Sequence, residues 1–339
     1  MTGHNAGLVV RELGAKFDLE TAQTRYRGHA REMAAASAAE GFDLVVTYGG
    51  DGTVNEVVNG VMRGPVPLVD SASRVEGAAG MDGAAAADAA DGASRANDAP
   101  AAGEGEADHR PAIAPIPGGG ANVFARTLGL PPDPAEAVHR ILRAAETGTH
   151  RTIGLGLAGN RYFTFSAGLG VDAEVVADVD RRRAGGRRAS TLLYLRMALR
   201  RYYAVTDRRH PALTLTTPGQ PPVTALFMGV VTNSSPWTYL GARPVRPDPV
   251  RPAHADFSSG LDLFALRRLR TLSTLAALSH MMHTADELPS GHDVVSAAAL
   301  GELAFRSERP IAFHIDGEYQ GETEGVVFRF VPQALCVLA

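Results

Sequence analysis

A β-forming run that stops at glycines and resumes with helical spacing leaves few folds open. This chain has one at Val45 to Gly60, VVTYGGDGTVNEVVNG. Phe42 to Tyr48 reads as a short apolar strand and Gly49-Gly50-Asp51-Gly52 as a turn, and Val54, Val57, Val58 and Val61 then fall at i, i+3, i+4 and i+7 on one helix face. The pattern returns downstream, where AIAPI reads as a strand, PGGGAN as a turn and NVFARTLGL as a short helix ended by Gly129 and Pro131-Pro132. A further helix is expected from Pro134 to Thr147. Upstream, RGHAREMAAASAAEG is a helix with Gly41 as its stop, and a short strand is expected around Lys16 to Thr24. Strands alternating with helices imply an α/β N-terminal domain, its sheet mostly parallel and covered on both faces.

From about Arg151 the character changes. RYFTFSAGLGV, ALTLTT, TALFMGVVTNS, LDLFAL, IAFHIDGEYQG and VVFRFV, separated by Pro and Gly, read as a mainly β domain of sandwich type, interrupted by helices around Ser190 to Tyr203 and Thr271 to Ala285. The expected division is therefore 1–150 and 151–339, with the last strand able to return to the first domain. GLGLAGN fits G-x-G-x-x-G at Gly154, Gly156 and Gly159, but a strand follows it where a dinucleotide site needs a helix.

A chain of 339 residues, 45% of them apolar, can fill a core in each of two domains. One cysteine, Cys336, excludes a disulfide framework. The absence of a charged-then-apolar leader or of a long apolar run makes the cytoplasm the expected compartment. Between the two strand-turn-helix units, Asp70 to Arg110 carries nine acids and three arginines, built from Ala, Gly, Asp and Glu; against a whole-chain net charge of −4, the remainder is slightly basic. Such a composition buries too little apolar surface to offset its ordering entropy, so a disordered acidic insertion is expected over 70–111.

A glycine turn between a strand and a helix lets backbone N–H groups reach phosphate oxygens, and the helix N-terminus adds favourable partial charge. Gly49 to Thr53 fits that use. A plainer reading also fits: Thr53-x-x-Glu56 has the spacing of a capping box. Capping leaves the aspartate between glycines unexplained, whereas an acid there suits contact with phosphate through Mg²⁺ or a proton in phosphoryl transfer. The second turn, Gly118-Gly119-Gly120 with Asn122, belongs at the same sheet edge, where open α/β sheets bind ligands.

Together GGDGTVNEVVNG, PGGGANVFARTLGLP, FSAGLGVDAEVV and HIDGEYQGE resemble the diacylglycerol kinase catalytic-domain family of bacterial lipid kinases, across most of the chain. The resemblance implies an ATP-binding α/β domain, a β-sandwich domain with lipid-binding surface, and a site in the cleft between them. It places Gly50, Asp51, Gly52, Thr53, Val54, Asn55 and Glu56 on the nucleotide loop, beside Gly49, Gly119, Gly120 and Asn122 of the two turns, and Thr24 of TRYRGHA on an upstream nucleotide contact. Glu318 of DGE falls on the family's proton acceptor for the lipid hydroxyl. On the residues alone, Glu318 equally suits a hairpin turn. The family's usual first strand, ending in Asn-Pro, has no counterpart, since MTGHNAGLVVRELG already reads as the helix that follows it. Gly120 and Val123 stand where the family often has Thr or Ser and Asp. Ser259 replaces the acid of a metal-associated turn, leaving the Leu261 backbone, with Asp262 as substitute, for a structural Mg²⁺.

Arg181, Arg182, Arg183, Arg187 and Arg188 precede STLLYLRMALRRYY, in which Arg196, Arg200 and Arg201 alternate with apolar residues; this suits either an anionic lipid surface at the inner membrane face or a solvated helix. Nucleic-acid binding is not expected without a recognised module in an acidic chain. Trp237 in NSSPWTYLGARPV suits an acyl-chain pocket or simple packing, and His280, His283 and His292 lack a zinc pattern. No G-x-S-x-G elbow occurs. The expected activity is ATP- and Mg²⁺-dependent phosphorylation of a hydroxyl on diacylglycerol or a related lipid. The alternatives are an NAD kinase-like enzyme, which shares a Gly-Gly-Asp-Gly loop, and a non-catalytic lipid or nucleotide binder.

Overall fold

The computed structural model describes residues 3–62, 110–184, 210–240, 243–246, 257–270, 274, 279, 281 and 291–339. Helix α1 (Gly3–Gly14) opens the chain, and α2 (His29–Glu40) follows after an irregular loop. Ala30, Ala34 and Ala38 recur every four residues and form the buried face of α2, and Gly41 ends it at φ 81°, a left-handed conformation that glycine adopts without a Cβ penalty. Strand β1 (Leu44–Gly49), helix α3 (Asp51–Val61) and strand β2 (Ala112–Pro117) form the expected unit, β1 and β2 pairing in parallel from Leu44↔Ala112 to Gly49↔Pro117.

Helix α4 (Val123–Thr127) and helix α5 (Pro134–Thr147) come next. α5 forms where the sequence places it: Asp133 Oδ1 accepts from the Ala135 and Glu136 amides at 3.0 and 3.1 Å, proline takes the first turn, and Gly148 terminates it.

The strand-rich part begins with β3 (Arg151–Ala158), β4 (Arg161–Phe163) and β5 (Ser166–Gly170), followed by helix α6 (Val171–Ala184). β6 (Leu213–Thr216), β7 (Val223–Leu226), β8 (Met228–Thr232), β9 (Thr238–Leu240), β10 (Arg243–Val245), β11 (Leu261–Leu266), β12 (Val294–Leu300), β13 (Glu302–Ile315) and β14 (Glu318–Val337) complete it. β9 and β10 make a separate two-stranded sheet, and the other strands form one 12-stranded sheet with the path β1-β2-β14-β13-β5-β8-β11-β12. β14 joins the two halves: it pairs with β13 at its start, with β3 along its later part, and in parallel with β2 at Val337↔Ile113.

Two apolar clusters lie on either side of this seam. Val54, Val57, Val58 and Val61 of α3 meet Ile113, Phe124, Ile153, Leu335 and Val337 in the first. Phe163, Phe305 and Phe328 centre the second, with edge-on ring pairs at 6.2 and 6.3 Å. Trp237 packs, partly buried, against a third cluster that includes Val171, Val230 and Phe264. Among the described residues no helix is long and apolar enough to cross a membrane.

Two expectations differ from the structure. Lys16 to Thr24 is not a strand: Phe17 and Leu19 pack against the apolar cluster of α1 and α5, the residues around them are exposed, and the segment does not pair with β1, the edge of the sheet. The parallel pairing expected of the N-terminal part is present, β1 with β2 and β2 with the end of β14, whereas β3, after α5, runs antiparallel to β14. Val171–Ala184, taken as part of the β region, is a helix. It is fastened to β13 by His314 Nε2 and Asp172 Oδ2, 2.5 Å apart. The insertion expected at 70–111, save its last two residues, and the helix at 190–203 lie outside the described residues, as do Arg187, Arg188, Arg196, Arg200, Arg201, His280 and His283. Of 271–285, the described Thr274, Ser279 and Met281 are helical.

The α2–α3 contact depends on Gly60. A Cβ there would sit 2.7 Å from Ala34 Cβ and closer still to the Arg31 carbonyl. Gly60→Ala is therefore expected to push the helices apart and to cost about 1 to 3 kcal/mol, read as a lowered urea midpoint with an unchanged slope.

Candidate active site

The β13–β14 hairpin sets the geometry. Asp316 and Gly317 form its two-residue turn with φ of 46° and 71°, the arrangement that an Asp-Gly pair favours, and Ile315 pairs directly with Glu318. The turn is held from below. Asp316, 3% exposed, accepts hydrogen bonds at both carboxylate oxygens: Asn55 Nδ2, the Thr164 amide and Thr164 Oγ1 on Oδ2 at 2.7 to 2.9 Å, and the Phe165 and Ser166 amides on Oδ1 at 3.0 and 3.1 Å. These donors satisfy a charge that would otherwise be costly to bury.

Glu318, two residues on, is thereby delivered to the first turn of α3. A Cβ on Gly52 would collide with the Glu318 carboxylate, so glycine is what admits the acid here. Thr24, Tyr26, Arg27, Ala30, Gly52, Thr53, Glu56, Asp180 and Glu318 line one pocket of about 360 Å³. Glu318 Oε2 has no hydrogen-bond partner, and lies 3.5 Å from Arg27 Nη2 and 3.7 Å from Arg161 Nη2. Burial raises the Glu318 pKa, while the two arginines oppose the rise.

Glu56 does not close a capping box. α3 starts at Asp51 with Gly50 as its cap and no side-chain cap bond, which puts Thr53 inside the helix. Glu56 reaches instead to the start of α2, accepting from the Gly28 and Ala30 amides at 2.7 and 3.2 Å, where a carboxylate meets the positive end of the helix dipole. It fixes the loop that carries Thr24, Tyr26 and Arg27. Asn55 is fully buried, and is a connector: Nδ2 donates to Asp316 and to the Tyr162 carbonyl, and Oδ1 accepts from Arg161 Nε and Nη2 at 3.0 and 2.7 Å. Val54 points into the first apolar cluster.

The two glycine turns touch each other. The Gly118 amide donates to the Gly49 carbonyl at 2.9 Å, and a Cβ on Gly119 would lie 2.6 Å from Gly50 Cα. Asn122 closes the second turn on itself through the Gly119 amide and carbonyl, while Gly120 faces open space. Asp51 bridges the turns, since its Oδ1 accepts from the Phe124 amide of α4 at 3.1 Å. Burial pushes its pKa up to about 6, against the pull of the Phe124 and Val123 amides. Gly119, Gly120 and Asn122 thus stand beside the pocket, behind Gly50, rather than in its lining.

The residues at the expected structural metal site do not fit a cation. Asp262 turns its Oδ1 to the Ala299 amide at 3.0 Å, Leu261 is fully buried in β11 opposite Leu300, and Ser259 brings no charge. Among the described residues no three His, Cys, Asp or Glu gather to hold a metal. Arg27, Arg161, Asp180 and Asp316 escaped the sequence reading. Arg27 and Asp316 sit within the quoted motifs TRYRGHA and HIDGE, but Arg161 lies 106 residues from Asn55, and no local pattern announces that contact.

Two results are expected from this geometry. Asp316→Ala strands three buried amides and should cost about 3 kcal/mol or more in urea unfolding, whereas Glu318→Gln should leave stability nearly unchanged. Asp51, with a folded pKa of about 6 against an ordinary 3.8, binds more protons folded than unfolded, so its contribution to stability is full below pH 3.8 and is lost as pH rises through 6. Between pH 4 and 7 Asp51→Asn should remove a fall on the order of 2 to 3 kcal/mol, measured as the difference in unfolding free energy between the two proteins.

In sequence and in fold the chain is similar to known proteins. Residues 5–152 match the model of the diacylglycerol kinase catalytic domain. The diacylglycerol kinase of Bacillus subtilis is 32% identical over 168 residues, 49% of this chain and 39% of that protein, so the match spans well under half of the relative's length. A probable lipid kinase, YegS-like, from Chromohalobacter salexigens is 26% identical over 335 residues, 97% of this chain and 86% of its own. The crystal structure of a diacylglycerol kinase described as putative, from Bacillus anthracis, superposes with a TM-score of 0.66 at 21% identity, covering 99% of this chain and 91% of its own. The chain is thus similar to diacylglycerol and lipid kinases, the family-model match covering residues 5–152, a little under half of its length.

Proposed function

We propose that the chain transfers the γ-phosphoryl group of ATP to a hydroxyl of diacylglycerol or a related lipid. The observation that carries this reading is the position of Glu318: a carboxylate oxygen without a hydrogen-bond partner, placed against the first turn of α3 in a pocket that also holds Thr24, Arg27 and Thr53. In this reading residues 1–150 bind the nucleotide and 151–339 receive the lipid. The N-terminus of α3 and the side chains of Thr24 and Thr53 take the phosphates, whose negative charge suits the positive end of the helix. Mg²⁺ bound to the incoming ATP would neutralise part of its phosphate charge. Asp51 acts indirectly, by keeping the Gly118–Asn122 turn against Gly50.

Glu318 accepts the proton of the lipid hydroxyl as the new O–P bond forms and the bond to the β-phosphate oxygen breaks, leaving ADP and a phosphorylated lipid. Burial supports this role by raising the proton affinity of the carboxylate. Glu318→Gln is therefore expected to lower kcat by about 10²-fold or more without loss of nucleotide binding. The measurement is transfer from labelled ATP to diacylglycerol, to a total lipid extract and to NAD, in parallel. Transfer to NAD alone would identify an NAD kinase-like enzyme, and nucleotide binding without transfer to any acceptor a non-catalytic binder.

A further inference from the structure

Glu318 lies between two guanidinium groups that are held very differently. Arg161 is fixed: Nε and Nη2 donate to Asn55 Oδ1, Nη1 donates to Gln320 Oε1 at 2.7 Å, and its side chain is 26% exposed. Asn55 in turn is locked to Asp316 and the Tyr162 carbonyl. Arg161 therefore cannot follow a ligand without breaking a buried network. Arg27 has a single hydrogen bond described, from Nη2 to the Tyr319 carbonyl at 3.1 Å, and its side chain is 61% exposed. It lines the same pocket as Gly52 and Thr53, within a loop pinned by Glu56. A phosphate at the α3 N-terminus offers this guanidinium a doubly charged, bidentate partner in place of a monodentate contact at 3.5 Å.

Resting on the function proposed above, we infer that the terminal phosphate of a nucleoside triphosphate, on entering this pocket, draws Arg27 away from Glu318 and leaves the acid with Arg161 alone, so that filling the pocket raises the proton affinity of Glu318. The charged groups that face Glu318 are Arg27 from the loop before α2, Glu56 from α3, Arg161 from β4 and Asp180 from α6. Glu56 is held at the start of α2 and Asp180 accepts from the Tyr319 amide at 3.0 Å, so Arg27 is the member of this set that a ligand can recruit. Loss of one cation favours the protonated acid, and the incoming negative charge acts in the same direction. The acid thus becomes a stronger base when the phosphoryl donor is in place. Arg161 is a positioning residue for Glu318, and Arg27 contacts the phosphate.

The test is proton uptake on binding of a non-hydrolysable ATP analogue with Mg²⁺, from calorimetry in two buffers of different ionisation enthalpy near pH 6. Subtracting the uptake by Glu318→Gln isolates the part due to Glu318. The parent should take up a measurable fraction of a proton more than Glu318→Gln, and the same difference between Arg27→Met and Arg27→Met/Glu318→Gln should be at most half as large. Arg27→Lys should restore part of it. No difference in the parent, or one that Arg27→Met leaves above half, overturns the inference while the lipid kinase reading stands. Failure of the analogue to bind at all removes both. Since Arg27 is mostly exposed, its replacement leaves the fold intact, which a unchanged urea midpoint verifies.

Discussion

The buried carboxylate of Asp316 is the constraint from which the site is built. A buried carboxylate at 3% exposure is tolerated only with close to a full set of donors, and here five groups supply them from two places: Asn55 of α3, and the β4–β5 junction with its three amides and the Thr164 hydroxyl. The same residue occupies a left-handed turn at φ 46°, a cost that its hydrogen bonds offset. Because the turn is two residues long, fixing Asp316 fixes Glu318. The polar ring then closes on itself: Asp316 holds Asn55, Asn55 holds Arg161, and Arg161 stands 3.7 Å from Glu318. A helix near the start of the chain and a hairpin near its end are joined through four side chains.

The glycines serve packing as much as ligand approach. Gly52 gives its Cβ space to Glu318, and Gly119 gives its own to Gly50, so the two turns lie against one another. Asp51 completes that contact by accepting the Phe124 amide across it. A phosphate-binding turn must present its N–H groups in a fixed array, since rearrangement on binding would subtract from affinity. If these turns take phosphate as proposed, glycines that interlock them hold that array rigid, which side chains at these positions would prevent.

Much of this was legible in the sequence wherever the signal is local. The valines of α3, the alanines of α2, Asp133 before Pro134 and the Asp-Gly turn each act within a few residues of where they stand, and each element forms where its pattern lies. Local patterns failed where a distant partner decided the outcome. Glu56 has the spacing to cap its own helix and caps α2 instead, because the Gly28 and Ala30 amides lie within reach once α2 and α3 pack. Lys16 to Thr24 has strand-like spacing, but Phe17 and Leu19 pack against α1 and α5 and the segment joins no sheet. Val171–Ala184 carries four acids and three arginines over fourteen positions with little apolar periodicity, so its helical character depends on the His314–Asp172 contact and the buried Ala173, Val176 and Val179.

α3 emerges as the element that every part of the site refers to. Its valines anchor it in the first core, its Asn55 ties it to the hairpin, its Glu56 ties it to the loop of Thr24 and Arg27, and Gly60 seats it on α2. These residues leave the helix in different directions, so the helix cannot rotate or slide to favour one contact without weakening another. The pocket walls at Thr53, Arg27 and Glu318 are thus referenced to one rigid body. Within that frame the one wall cation held by a single described hydrogen bond, Arg27, is the part that can respond when charge enters the pocket, while Arg161 and Glu318 keep their places.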